Sequence, residues 1–70
     1  MQIVYFNDTD TVLMKFTDND PIETRELDEN ILLDLDMNGN IVSMTIEHAK
    51  EKATISNFSF QQISSKQNAA

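Results

Sequence analysis

Asp34, Asp36 and Asn38 stand on alternate residues before Gly39, a spacing of oxygen ligands that could bind a calcium ion. EF-hand calcium loops open this way, with a Gly for the bend and a bidentate Glu at the twelfth position. Here the twelfth position is Thr45, and the flanking residues are typical of strands rather than helices. We therefore interpret the segment as a hairpin and keep Asp34, Asp36 and Asn38 only as weak metal-ligand candidates.

His48 is the side chain best suited to proton transfer near neutral pH. Catalysis also needs a nucleophile and an orienting group beside it, and no spacing in the sequence marks such a pair. We predict a structural role for His48, no catalytic residues, no cofactor and no enzymatic activity.

A second cluster of chemistry-bearing residues is acidic and surrounds Arg25: Glu23, Glu26, Asp28 and Glu29. A charged edge strand that resists aggregation explains this pattern. The alternative is a docking surface for a basic protein, because opposite potentials steer association. We keep both interpretations and take these four acids as partner-binding candidates.

Composition limits the classes of partner. The 70 residues carry 12 acids, 5 bases and no cysteine, for a net charge of −7. Disulfides and thiolate metal sites are excluded. The negative charge argues against a nucleic-acid partner, because binding a phosphate backbone requires clustered basic side chains. The first apolar run has four residues, too few for a secretion signal or a membrane span, so we predict a cytoplasmic protein without a membrane partner.

Short strands with turn signals between them fill most of the chain. Apolar and β-branched residues predict strands over 2–6 and 11–17, and a charged edge strand over 22–29. The clearest hairpin joins 31–36 to 41–46 through Asn38-Gly39, the preferred pair for a two-residue type I′ turn. That turn would pair Leu35 with Val42, Leu33 with Met44 and Ile31 with Ile46. Residues 47–53 favour one or two helical turns.

We thus predict an α+β fold: a mainly antiparallel, curled sheet of four to six short strands with one short C-terminal helix. It forms a single domain over 1–63, and we expect 64–70 to be a disordered tail. Phe58 and Phe60 alternate with polar residues, which is compatible with a further strand, a core contribution or a segment that orders on a partner. The predicted core comprises Ile3, Tyr5, Val12, Met14, Phe16, Ile31, Leu33, Leu35, Val42, Met44 and Ile46.

The order of these segments resembles one small prokaryotic family, domain of unknown function family twenty-two eighty-three. The resemblance is carried by Tyr5 and by residues 10–16, 31–36, 39–42 and 46–49, and covers about residues 1–53. It implies a small β-rich domain with a short helix. Genes of the family often lie beside small toxin-like partners, so the resemblance implies an antitoxin-like role.

We therefore expect an acidic protein-interaction module, antitoxin-like toward a basic protein partner. A homo-oligomeric module without a separate partner is the alternative, because small β domains close their edges by pairing with copies of themselves. Weak metal or small-ligand binding through Asp34, Asp36 and Asn38 is a further alternative.

Overall fold

The structure, a computed structural model, describes residues 1–54, 56–57 and 59–64. Over these residues the chain forms five strands and one short helix. The elements are β1 (Gln2–Phe6), β2 (Thr11–Lys15), β3 (Glu23–Asp28), β4 (Ile31–Leu35), β5 (Ile41–Glu47) and α1 (Ala49–Lys52). All the strand pairs are antiparallel, so the predicted α+β class is confirmed. Residues 65–70 of the expected tail, with Ile55 and Phe58, lie outside the described residues, and 59–64 form neither helix nor strand.

The strand order in the sheet is β1-β2-β5-β4-β3. Two local units are joined by one long-range pairing, in which β2 lies beside β5 with Met14 opposite Met44. The outermost strands are therefore β1 and β3. The acidic segment between Pro21 and Asn30 lies at one edge of the sheet, as its charge predicts.

The β4–β5 hairpin has the predicted register away from its turn. Leu33 lies opposite Met44 and Ile31 opposite Ile46, as expected. Nearer the turn the prediction is wrong, because the register shifts after Asp34 and Leu35 lies opposite Ile41 rather than Val42.

The turn itself also differs from the prediction. A type I′ turn needs positive φ at both central residues, but here Gly39 has φ 81° and Asn38 does not have a positive φ. The Gly39 N–H donates to the Asp36 carbonyl at 3.0 Å, and the Asp36 N–H donates to the Asn40 carbonyl at 2.9 Å. This is a three-residue loop, a type I turn followed by a left-handed Gly. The Asp36 carboxylate selects it by accepting the N–H groups of Asn38 and Asn40.

The core lies on one face of the sheet, where alternate residues of four strands place apolar side chains. Val12, Leu35 and Val42 are buried, and the other eight predicted core residues are half-buried. Ala49 of α1, which the pattern did not single out, is completely buried. We call this surface the apolar face; it comprises Ile3, Tyr5, Val12, Met14, Ile31, Leu33, Leu35, Val42, Met44 and Ile46.

Candidate protein-interaction edge

Strand β3 carries three of the four partner-binding candidates, and Glu29 lies in the turn that follows it. Each residue of β3 is exposed, and its backbone pairs with β4 on one side only. We call this surface the acidic edge; it comprises Glu23, Glu26, Asp28 and Glu29. Successive side chains of a strand point to opposite faces of the sheet, so the acids lie on both faces at this border.

One cation lies within the acidic edge, and it is already paired. The Arg25 Nε donates to the Glu23 Oε2 at 2.8 Å, the one ion pair within the described part of the chain. The hydrogen bond and the charge of Glu23 raise the pKa of Arg25. Both side chains are at least half exposed, so the pair contributes little to stability. Glu26, Asp28 and Glu29 therefore leave the edge with a net negative charge.

The backbone of the acidic edge is irregular at Leu27. The register of β3 on β4 shifts between Glu26 and Asp28, which is a β-bulge. Leu27 lies at the bulge with 57% of its surface exposed, and the preceding Ile22 is 67% exposed. Bulges and charges on edge strands suppress unselective pairing. This border strand therefore combines an exposed backbone edge with two features that limit unselective pairing.

Asp36, one of the weak metal-ligand candidates, is a buried structural carboxylate. Its Oδ1 accepts the backbone N–H groups of Asn38 and Asn40, each at 2.9 Å. Its Oδ2 accepts the side-chain amides of Asn19 at 2.9 Å and of Asn40 at 3.3 Å. The Asn40 backbone bond, followed by the Asn19 bond, lowers the pKa of Asp36 against the opposing effect of desolvation. Oδ1 thus holds the hairpin loop, and Oδ2 attaches that loop to the loop after β2.

Asp34, the second metal-ligand candidate, lies on the sheet face opposite the apolar face and links three neighbouring strands. Its Oδ1 accepts the Thr24 hydroxyl at 2.6 Å, and its Oδ2 accepts the Ser43 hydroxyl at 2.8 Å. Asn38 is exposed in the loop. Within the described residues, no three His, Asp or Glu side chains are arranged to hold a metal ion. The hydrogen bonds of the two acids run to different partners, those of Asp34 to β3 and β5 and those of Asp36 to two loops.

Asp10 is a polar centre that the sequence analysis did not select. It adopts left-handed backbone with φ 53°, and its carbonyl accepts the Ala49 N–H at 2.9 Å. Its carboxylate accepts the Tyr5 hydroxyl at 2.7 Å and the Lys50 N–H at 3.2 Å. The hydrogen bond to Asp10 is the main cause that raises the pKa of Tyr5, with desolvation and the charge of Asp10 adding to it. Asp10 therefore attaches α1 to the β1–β2 hairpin.

His48 lies immediately before α1 and is exposed. Its backbone is also left-handed, with φ 54°, and its side chain makes no capping bond to the helix. The Nδ1 atom lies 3.2 Å from the Asn30 Oδ1, and the Asn30 carbonyl accepts the Glu47 N–H at 2.8 Å. These contacts connect the end of β5 to the β3–β4 turn.

The fold and its edge define a small acidic antiparallel-sheet domain with a negatively charged, exposed border strand. The chain belongs to the family described as Protein of unknown function (DUF2283), whose model matches residues 2–50. The match covers all the strands and the start of α1. No curated protein and no solved structure shows a significant match to the chain. No helix over the described residues is both long and apolar enough to cross a membrane.

Proposed function

We propose that this protein is an acidic protein-interaction module that binds a basic protein partner through the acidic edge. If that partner is a toxin, binding would neutralise it, and the protein would have an antitoxin-like role. The observation that carries the proposal is the exposure of β3 at the border of the sheet, with Glu26, Asp28 and Glu29 beside it. The family match provides no activity of its own.

The chemistry of the edge fits a basic extended segment. An outer strand offers free backbone N–H and C=O groups, and a partner strand that adds to them gains main-chain hydrogen bonds. Cationic side chains of that strand would lie near Glu26 and Asp28, and Leu27 provides an apolar contact between them. The acids thus add selectivity to a pairing mode that is otherwise sequence-independent.

A charge-reversal variant tests the proposal. We expect the wild-type chain to capture a basic protein from a lysate of its native host at equal stoichiometry, identified by mass spectrometry. Glu26→Lys/Glu29→Lys should lose this capture. Both residues are exposed, and the variant keeps the Arg25–Glu23 pair and the Asp28 carboxylate, which accepts the Asn30 N–H at 3.1 Å.

The matched control is Asp8→Lys/Glu51→Lys, which makes the same change in net charge away from β3, in the β1–β2 loop and in α1. It should capture the same protein as the wild type. Equal loss in both variants would show that only net charge matters, and unchanged capture by Glu26→Lys/Glu29→Lys would show that β3 is not the docking edge. With the purified partner, the association rate should fall as salt rises.

A further inference from the structure

Strand β1, at the opposite border of the sheet, lacks the protection of β3. Its residues are Gln2, Ile3, Val4, Tyr5 and Phe6, and none of them is charged. Phe6 is 44% exposed. Strand β1 pairs with β2 along its whole length without a register shift. This regular border, which we call the uncharged edge, therefore has neither the acids nor the bulge of the acidic edge.

An edge strand presents a row of unpaired backbone groups, and proteins usually protect such rows with charge, bulges or cover. Over the described residues, β3 carries charges and a bulge, and β1 carries neither. The difference between β1 and β3 indicates that another strand pairs with β1, and that this strand suits an uncharged edge.

We propose that the occupant is β1 of a second copy of this chain, paired antiparallel about a two-fold axis. A two-fold interface uses the same surface on both copies, so each residue must face its symmetric counterpart. The register that pairs all five residues centres on Val4. It places Val4 opposite Val4 of the second copy, Ile3 opposite Tyr5, and Gln2 opposite Phe6. Aromatic and β-branched residues opposite one another stabilise antiparallel pairs.

The distribution of charge allows a second copy to bind despite the net charge of −7 on each chain. The acidic edge lies four strand spacings from β1, about 19 Å. That distance exceeds two Debye lengths at physiological salt, about 16 Å, so the acidic edges of the two copies are screened from the interface.

Charges of both signs lie near each end of the uncharged edge. Lys15 and Asp18 lie together at the end where β1 begins. At the other end the Asp10 carboxylate accepts the Tyr5 hydroxyl, and Lys50 lies close by. Because neither end concentrates charge of one sign, the two-fold antiparallel arrangement does not bring like-charged clusters together.

The size of the contact sets the expected strength of the dimer. One five-residue strand per copy buries less than the roughly 800 Å² per partner of a standard interface. We therefore expect the dimer to dissociate on dilution. Its mass in solution should fall from twice the 8.0 kDa chain toward a single chain as concentration decreases.

Charged substitutions at Val4 test the pairing and its register together. Because Val4 faces itself across the axis, Val4→Lys and Val4→Glu should each sediment as monomers, since two like charges meet. An equimolar mixture of the two variants should recover the dimer as a heterodimer. The matched control Thr45→Lys puts a lysine in the same row of the sheet on a central strand, and it should remain dimeric.

Circular dichroism of each variant establishes that it is folded before its mass is compared. A monomeric wild type at high micromolar concentration would overturn the proposal, and so would dimers that persist in both Val4 variants or a mixture that stays monomeric. The proposal is independent of the acidic edge. Glu26→Lys/Glu29→Lys should still dimerise, and Val4→Lys should still capture the basic partner.

Discussion

At the residue scale, the side chains that first suggest chemistry mostly hold the backbone in place. Asp36 resembles a calcium ligand in sequence, yet its oxygens accept hydrogen bonds from Asn19, Asn38 and Asn40. Asp10 resembles an ordinary turn residue, yet it holds Tyr5 and the start of α1. A short carboxylate next to free N–H groups is a strong acceptor, and these bonds define the loops.

The lowered pKa of Asp36 predicts an acid-dependent loss of stability. A carboxyl group whose pKa is lower in the folded state stabilises the fold above its unfolded value, 3.8, and this contribution is lost as pH falls through the folded value. We expect Asp36→Asn to lower the unfolding free energy at neutral pH. The difference from wild type should shrink as pH falls from 3.8 through the lower pKa of the folded Asp36 carboxyl.

Urea unfolding at a series of pH values measures this effect. The control Asp8→Asn changes an exposed carboxylate in the β1–β2 loop and should leave the pH dependence close to that of wild type. A difference between Asp36→Asn and wild type that stays constant down to the lowest pH would show that the Asp36 charge is not what stabilises the loop.

At the scale of elements, the β4–β5 hairpin illustrates how much local pattern can specify. Alternating apolar residues predicted the register of Ile31 and Leu33, because a one-residue slip would move every apolar side chain to the other face. The loop was less predictable, since Asn38-Gly39 suits both two- and three-residue turns. Bonds to the Asp36 side chain decide between them.

The left-handed backbone of Gly39 gives the hairpin a specific vulnerability. A Cβ at this position would meet no atom within 4 Å, so a substitution is penalised by its φ of 81° and not by crowding. We expect Gly39→Val to lower the unfolding free energy by about 1–3 kcal/mol. Gly39→Asn should lose much less, because Asn tolerates this conformation.

Thermal and urea unfolding of the two variants at equal protein concentration provide the comparison. Equal losses for Val and Asn at position 39 would contradict the predicted role of φ. A Val variant as stable as wild type would mean that the loop can adopt another turn.

At the scale of the whole molecule, charge and apolar surface are separated. The apolar face carries the core, the acidic edge lies at one border of the sheet, and the uncharged edge lies at the other. Twelve acids against five bases leave the chain under self-repulsion. The sheet lets the chain tolerate this charge because most of the acids lie in loops or on β3.

Self-repulsion predicts that added salt stabilises the folded chain. Screening weakens repulsion among exposed acids, while the burial of Val12, Leu35 and Val42 depends little on moderate salt. We expect the melting temperature to rise between low and physiological sodium chloride. The measurement belongs at a concentration where the chain is monomeric, and Val4→Lys provides a second monomeric sample. A melting temperature that falls with salt would indicate that attractive ion pairs dominate.

Local patterns sufficed for the strands, the short helix, most of the β4–β5 register and the border position of the acidic strand. These features depend on neighbouring residues, whose period and charge can be read directly. Tertiary structure alone decided that β2 lies beside β5, that β1 is therefore the other edge, and that Asp10 holds the start of α1. Each of these depends on residues distant in the chain, and several pairings of short apolar strands satisfy the same local pattern until the whole sheet is assembled.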